Sequence, residues 1–210
     1  PVYSVIVPCY NEEDCIGETH RRLGGVMQSL GQPYEILYVN DGSRDGTAKM
    51  FDELAARDKA VRVIHFARNA GHQAAVSAGL DYAKGEALII IDADLQDPPE
   101  VIPQMIERWK AGAKVVYGQR RARAGEGRLK LLTAKWYYRL LNSLAGGAFP
   151  RDTGDFRLVD RQVAEVIKAM PEHARYLRGM FAWAGFEQEA LLYDRDARFA
   201  GETHYPFRKM

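Results

Sequence analysis

Several common signatures are missing from this chain of 210 residues, and each absence removes a class of protein. There is no Gly-x-Gly-x-x-Gly turn, which argues against a dinucleotide oxidoreductase, and there is no Walker phosphate loop. The only cysteines, Cys9 and Cys15, form neither a disulfide framework nor a zinc pattern, and they favour a reducing cytosolic setting. The net charge of +1 argues against general nucleic-acid binding.

Long apolar runs and low-complexity segments are missing too. No stretch approaches the ~18 apolar residues of a membrane-spanning helix, and the N-terminus has no signal-peptide pattern. Without internal repeats or linkers, this length predicts a single domain over residues 1–210. The chain begins at Pro1 rather than at a methionine, which indicates a trimmed or processed chain that is soluble as written.

What the sequence does contain is an alternation of strand and helix patterns. Short apolar, β-branched runs predict strands at 3–8, 34–39, 61–66 and 87–91, with helical patterns between them. Small residues such as Ala75 and Gly79, in the helix that opens at Asn69, permit close packing on a sheet. Four short alternations predict an α/β domain with a Rossmann-like, mostly parallel sheet flanked by helices.

Polar residues follow three of these predicted strands. Right-handed crossovers place the carboxyl ends of parallel strands at one edge, where open α/β sheets bind ligands. We therefore expect the three groups to converge on one crevice. The residues are Tyr10, Asn11 and Glu12 after the first strand, Asp41 after the second, and Asp92 and Asp94 after the fourth.

The third group has the spacing of a cation site. In extended chain Asp92 and Asp94 share a face, and Gln96 can join them if the turn at Asp97 and the following prolines folds it back. Such hard oxygen ligands suit Mg²⁺ or Mn²⁺. In isolation this Asp-x-Asp fits a solvated acidic turn better, and the convergence of three groups favours the metal.

Beyond residue 99 the alternation loosens. The patterns predict a helix at 101–109, a strand at 114–118, a basic loop at 119–128, and a helix at 129–144. A turn leads into a strand at 152–158, and a helix at 163–170, a strand at 186–193 and a basic tail at 198–210 follow. A second Asp-x-Asp, at 194–196, is predicted to be a surface turn because its central Arg195 would repel a cation.

Three motifs together resemble one family. They lie at 8–12, 40–47 and 92–100, and further matches lie at 69–73, 154–158 and 198–206. The combination resembles family 2 glycosyltransferases of the GT-A fold. More narrowly, it is similar to the polyprenyl-phosphate glycosyltransferases, which include dolichyl-phosphate mannose synthases and bacterial undecaprenyl-phosphate glucosyl and aminoarabinosyl transferases. Ala70 departs from the bacterial branch, which often has an aromatic residue there.

The resemblance implies a nucleotide-sugar donor, a UDP-sugar by preference, and a polyprenyl-phosphate lipid acceptor, joined with inversion at the sugar. It implies that Mg²⁺ or Mn²⁺ binds the donor diphosphate. Asp155 matches a catalytic acidic residue that either positions the attacking phosphate or acts as base, and His72 either lines the donor site or is a packing residue. The implied roles are metal binding by Asp92, Asp94 and Gln96; catalysis by Asp94 and Asp155; donor binding by Pro8, Tyr10, Glu12, Asp41, Asp92 and Arg198; and acceptor-phosphate binding by Arg120.

Family members usually continue into transmembrane helices, so we expect these 210 residues to be a catalytic domain acting at the cytoplasmic face of the inner membrane. Basic residues interrupt the apolar pattern of the predicted helix at 129–144, which fits either a membrane surface or a core-packing helix with basic ends. A homo-oligomer is left open. The basic residues are Arg128, Lys130, Lys135 and Arg139.

Two alternatives remain open at this stage. A glycosyltransferase acting on a sugar or polysaccharide hydroxyl is one, although the Gln-x-x-Arg-Trp of processive synthases is absent. The other is a non-catalytic nucleotide-sugar-binding scaffold, against which the intact acids at three strand ends argue. An assay for metal-dependent sugar transfer distinguishes an enzyme from such a scaffold.

Overall fold

The computed structural model describes residues 1–121, 153–172 and 175–196. Its first half alternates strand and helix as predicted, with strand bounds within two residues of the expected ones. The elements are β1 (Tyr3–Cys9), α1 (Glu13–Ser29), β2 (Tyr34–Asn40), α2 (Thr47–Arg57), β3 (Val61–His65), α3 (His72–Tyr82) and β4 (Ala87–Ile90).

The second half differs from the prediction in several bounds and in one element. The strand predicted at 114–118 continues to Arg120, because it pairs with the last strand up to that residue. The strand predicted at 152–158 continues to Asp160, the last strand begins at Gln188 rather than at 186, and a short helix at Leu177–Trp183 was not predicted. The predicted helix at 129–144 and the tail at 198–210 lie outside the described residues. The elements are a 3-10 turn (Pro99–Val101), α4 (Ile102–Lys110), β5 (Val115–Arg120), β6 (Thr153–Asp160), α5 (Arg161–Ala169), α6 (Leu177–Trp183) and β7 (Gln188–Tyr193).

The seven strands form one sheet in the order β3-β2-β1-β4-β6-β5-β7. β1 pairs in parallel with β2 and β4, whereas β6 runs antiparallel to both β4 and β5. Ile90 pairs with Arg157 in the β4–β6 ladder, and continuing that register by two residues brings Asp155 opposite Asp92. The antiparallel strand therefore brings a residue from late in the chain to the carboxyl end of β4.

Helices cover both faces of the sheet, and β1, which lies between β2 and β4, is buried at every residue. Close packing on the α3 side depends on a glycine, because a Cβ at Gly79 would lie 2.2 Å from Cγ2 of Ile6. This confirms the expectation that small residues let α3 approach the sheet. Within the described ranges, no helix has both the length and the apolar character that crossing a membrane requires.

Candidate active site

The loop after β1 is fixed against the loop after β2. Asn11 has a positive φ of 54°. Its backbone N–H donates to Ser43 Oγ at 3.0 Å, and its side-chain Oδ1 accepts from the backbone N–H of Arg44 at 2.9 Å. The Glu12 amide donates to Thr47 Oγ1 at 3.0 Å. These bonds join the two loops that were predicted to meet at one edge. The predicted donor-binding residues in and before the first loop are Pro8, Tyr10 and Glu12.

Asp41 is buried at the end of β2 and supports the chain that enters α3. One carboxylate oxygen accepts from the Ala70 amide at 2.6 Å and the other from the Gly71 amide at 2.9 Å. The next residue, Gly42, has a φ of 68°, and a Cβ there would lie 2.4 Å from the Arg68 carbonyl carbon. The contacts of Asp41 therefore fix the two residues that precede α3, and its role at the nucleoside stays a prediction.

The chain turns after Asp94, as the proline-bearing sequence predicted. Leu95 has a φ of 57°, and the Gln96 amide donates to Asp94 Oδ1 at 3.1 Å. The side-chain oxygen of Gln96 accepts from Arg195, and its backbone carbonyl accepts from the Asp196 amide at 3.0 Å. The prediction of a plain surface turn at 194–196 is wrong for Arg195, because its guanidinium turns inward to Gln96 and to the buried carboxylate that follows it.

That carboxylate, Asp97, is only 1% exposed and gathers three side chains. It accepts a hydrogen bond from the Tyr193 hydroxyl, and Arg120 Nη2 and Arg195 Nε lie 3.7 and 3.8 Å from its Oδ1. Burial and the hydrogen bond to Asp97 raise the pKa of Tyr193 well above its usual range. Arg120, the predicted acceptor-phosphate residue, therefore lies with Tyr193 and Arg195 around Asp97. These contacts link the loop at 92–97, here called the acid loop, to β7.

A cavity of about 520 Å³ opens at the carboxyl end of β4. Its lining comprises residues 70–73, Asp92, Asp155, Tyr176 and Arg178. Two of the predicted functional carboxylates thus face one space, although they are 63 residues apart in the chain. Asp94, Gln96 and Arg120 are not part of this lining, and Arg198 lies outside the described residues.

His72 lies between the two carboxylates of the cavity. Its Nε2 is 3.1 Å from Asp155 Oδ2 and 3.8 Å from Asp92 Oδ1. Burial alone would lower the pKa of His72, but the hydrogen bond to Asp155 and the charges of both acids raise it. Burial raises the pKa of Asp92 to about 6, against the pull of His72 and with help from the nearby Asp97 and Asp94. His72 therefore lines the site, which the sequence had left open.

Tyr176 and Arg178 line the cavity although the sequence did not indicate them, and Arg178 makes the stronger contacts. Its Nε and Nη2 donate to the two oxygens of Asp155 at 2.8 and 3.2 Å, and Gln73 Nε2 lies 3.5 Å from Oδ2. Although burial opposes it, the hydrogen bonds from His72 and Arg178 hold the pKa of Asp155 well below its usual range. The only signal for Arg178 was a single cation in the apolar run of α6, and that run is too short to show a helical period.

The carboxylates of the acid loop have the donor chemistry of a divalent cation site. Among the described residues no group of three or more His, Cys, Asp or Glu side chains is arranged to hold a metal. Asp92 and Asp94 nevertheless present hard oxygens close enough to raise the pKa of Asp92, a repulsion that a cation would offset. Two carboxylates fit Mg²⁺ or Mn²⁺ if substrate phosphates supply further ligands. The side-chain oxygen of Gln96 is engaged by Arg195 in this structure.

The sequence pattern of glycosyl transferase family 2 matches residues 4–168, and the chain belongs to that family. It is 50% identical over 208 residues to the uncharacterized glycosyltransferase YkcC of Bacillus subtilis, with 99% of this chain and 64% of the relative covered. It is 41% identical over 202 residues to the bactoprenol glucosyl transferase of Shigella phage SfV, with 96% and 66% covered. The chain thus spans about two thirds of the length of these relatives.

Solved structures share the architecture. Glucosyl-3-phosphoglycerate synthase from Mycobacterium tuberculosis, in complex with Mn²⁺, UDP-glucose and phosphoglyceric acid, superposes with a TM-score of 0.64 at 20% identity, over 95% of this chain and 72% of that one. TarS of S. aureus in complex with UDP-GlcNAc gives a TM-score of 0.63 at 18% identity, over 96% and 60%. These likenesses confirm the predicted GT-A fold.

Proposed function

We propose that this chain is the catalytic part of a glycosyltransferase that moves a sugar from a nucleotide sugar, a UDP-sugar by preference, to undecaprenyl or dolichyl phosphate. The observation that carries the proposal is the cavity in which Asp92, after β4, and Asp155, on β6, face the same space. The relatives described as bactoprenol glucosyl transferases support a lipid-phosphate acceptor. With such an acceptor, the reaction would take place at the cytoplasmic face of the inner membrane.

The donor would bind along the edge that joins the loops after β1, β2 and β4. Glu12 and Asp41 can accept hydrogen bonds from ribose hydroxyls or base N–H groups; each oxygen of Asp41 has one backbone partner and retains acceptor capacity. Asp92 and Asp94 would hold Mg²⁺ or Mn²⁺ against the diphosphate. When bound, the cation supplies charge that offsets the negative charge on the departing nucleotide. A solved neighbour crystallised with Mn²⁺ and UDP-glucose supports a nucleotide-sugar donor and a divalent cation.

The transfer itself needs little proton movement. An oxygen of the acceptor phosphate forms the bond to the anomeric carbon, while the bond from that carbon to the diphosphate breaks and its electron pair leaves with the nucleoside diphosphate. A phosphate monoester has a second pKa of about 6 and is largely ionised near pH 7. A single in-line attack inverts the carbon, so that an α-linked donor gives a β-linked product. Asp155 would act at the attacking phosphate, as base or as positioning residue.

The experiment is a transfer assay with UDP- and GDP-sugars, a short polyprenyl phosphate and Mg²⁺ or Mn²⁺. We expect a lipid-linked sugar with inverted configuration by NMR, and no product after chelation with EDTA. Asp94→Asn should reduce turnover by about 100-fold or more, because a carboxylate ligand is lost, while circular dichroism shows an intact fold. The matched control is Asp194→Asn, in the exposed second Asp-x-Asp, which should retain wild-type turnover.

Each part of the proposal has its own contradicting outcome. Undiminished turnover of Asp94→Asn would contradict the metal assignment. Retention of the anomeric configuration in the product would refute the single in-line attack. Transfer to sugar hydroxyls but not to the lipid phosphate would favour the polysaccharide-type alternative. Donor binding without transfer to any acceptor would favour a binding scaffold.

A further inference from the structure

We propose that Arg178 binds the phosphate of the acceptor, and that Asp155 is a positioning residue that holds Arg178 and His72 in place rather than a general base. The inference rests on the proposed function, since it names the group that would receive the acceptor of that reaction. It places acceptor-phosphate binding on a residue of α6, whereas the sequence resemblance implied that Arg120 has this role.

The carboxylate of Asp155 is already occupied by donors. Oδ1 accepts from Arg178 Nε at 2.8 Å, and Oδ2 accepts from Arg178 Nη2 at 3.2 Å and from His72 Nε2 at 3.1 Å, with Gln73 Nε2 at 3.5 Å. The side chain is only 13% exposed. A general base has to point a free lone pair at the proton that it removes. Oδ2 of Asp155 instead faces three donors, and Oδ1, although it keeps a lone pair, faces Arg178, so that the carboxylate is arranged to orient its neighbours.

Arg178 is oriented by this pair without being used up by it. The bond to Asp155 employs Nε and Nη2, so that Nη1 stays outside the pair, and the side chain is 42% exposed at the wall of the cavity. A guanidinium presents donors in a flat fork that matches the oxygens of a phosphate. The acceptor arrives as an anion and needs such a cation more than it needs a base.

The position of Arg178 also suits the reaction. Asp92, at the proposed metal end, faces the same cavity, and His72 lies between Asp92 and Asp155. An anion on Arg178 would therefore be next to the donor diphosphate held at Asp92. The start of α6 is fixed as well, because the Leu177 amide donates to Gln73 Oε1 at 3.0 Å. Catalysis between two anions demands such fixed placement of the attacking group.

Two other arginines near the site are engaged elsewhere. Arg120 Nε lies 3.4 Å from the Tyr193 hydroxyl, its Nη2 lies 3.7 Å from Asp97, and it does not line the cavity. Arg175, three residues before Arg178, pairs with Asp81 at 3.4 Å and donates to a backbone carbonyl. Arg175 therefore provides a control cation in the same segment.

The test is steady-state kinetics with separate variation of donor and acceptor, on Arg178→Gln, Arg178→Lys, Asp155→Asn and the control Arg175→Gln. Arg178→Gln should raise the KM for a short polyprenyl phosphate about tenfold or more and leave the donor KM within about twofold. Arg178→Lys should recover part of the loss, since it keeps the charge without the fork. Asp155→Asn should also raise the acceptor KM, with kcat lowered by no more than about tenfold. Arg175→Gln should match the wild type.

Two results would overturn the inference while leaving the proposed function intact. One is an unchanged acceptor KM for Arg178→Gln in a wild type that transfers to lipid phosphate. The other is a kcat for Asp155→Asn lowered about 1,000-fold or more at an unchanged acceptor KM, which is the signature of a lost base. An unchanged donor KM shows that each variant is folded. If Arg178→Gln does not fold, the acceptor KM of Arg178→Lys is the test instead. If the wild type transfers to no lipid phosphate, the proposed function itself fails.

Discussion

Two carboxylates in one cavity have their pKa values shifted in opposite directions. Burial and neighbouring acids raise the pKa of Asp92, whereas donors from His72 and Arg178 outweigh burial and lower that of Asp155. A bound cation would stabilise a carboxylate that lies near other carboxylates. A carboxylate that is surrounded by hydrogen-bond donors already has its negative charge compensated. The same residue type therefore suits metal binding at one position and the orientation of a guanidinium at the other.

Gly42 occupies a position where a Cβ would meet both backbone strain and a backbone clash. Its φ is 68°, and a Cβ would lie 2.4 Å from the Arg68 backbone. We expect Gly42→Ala to destabilise the protein by about 2 kcal/mol or more in urea unfolding, because strain and a backbone clash add. The matched control is Gly17→Ala in α1, where nothing lies within 4 Å of the added methyl and a gain of about 0.5–1 kcal/mol is expected. Equal effects at both sites would contradict this reading.

Single residues of the site differ in how far the sequence predicts them. The motifs around Asp92 and Asp155 led to the expectation that both act in one crevice, and the cavity contains both. Arg178 could not be found in the same way, because its role depends on which side chain it meets in space. The inward turn of Arg195 escaped prediction for the same reason, since the buried Asp97 attracts it.

At the scale of elements, the sequence predicts the parallel pairing of β1 to β4 but not the antiparallel direction of β6. Short connections between alternating strands and helices leave parallel pairing as the natural arrangement for β1 to β4. The connection between β5 and β6 runs from 121 to 152. A connection of that length fits either direction and several neighbours, so the sequence predicts the strand but not its partners.

The end of β6 shows how one side chain joins several elements. Asp160, 9% exposed, accepts from the Gln162 amide at 2.9 Å as the cap of α5, from Trp109 Nε1 at 2.8 Å and from Lys114 Nζ at 3.3 Å. We expect Asp160→Ala to lower the free energy of unfolding by about 2–4 kcal/mol, since a cap and two further bonds are lost.

The companion variant separates the cap from the charge. Asp160→Asn keeps an oxygen for the Gln162 amide and should lose about half as much as the alanine variant. Urea unfolding of both proteins gives the comparison. An alanine variant as stable as the wild type would show that Asp160 does not join these elements.

At the scale of the whole molecule, one edge of the sheet bears the candidate site and the opposite edge has a structural role. The carboxyl ends of β1, β2 and β4 bear the candidate site, and a buried polar group ties the opposite ends together. There Glu35 accepts from Ser4 Oγ at 2.6 Å, Arg62 Nη1 at 2.7 Å and the Lys84 amide at 2.7 Å. Strands β1, β2 and β3 are thus joined through one carboxylate, away from the substrate edge.

This carboxylate predicts a pH dependence of stability. Burial raises the pKa of Glu35, but the hydrogen bonds from Ser4, Arg62 and Lys84 lower it overall, below its ordinary value of 4.5. Its stabilisation is therefore present above pH 4.5 and is lost as the pH falls through the lowered folded pKa. Glu35→Gln should cost about 2–3 kcal/mol at pH 7, and the difference from wild type should shrink below about pH 4.5.

Urea unfolding at several pH values measures this. The control is Glu107→Gln, exposed on α4, which should follow the wild type at every pH. A deficit of Glu35→Gln that stays constant down to pH 3 would mean that packing, rather than the charge, is what the substitution removes.

The ladder between β4 and β6 has a consequence for recombination among related sequences. Among the described residues, the predicted donor-side ones precede α4, and the proposed acceptor-side residues, Asp155 and Arg178, follow β5. A crossover between α4 and β5 would exchange the acceptor side as one block. The block works only in register, because a one-residue slip of β6 would turn Asp155 to the other face of the sheet. Chimeras of this kind should tolerate changed acceptor residues far better than an insertion between Asp155 and Asp160.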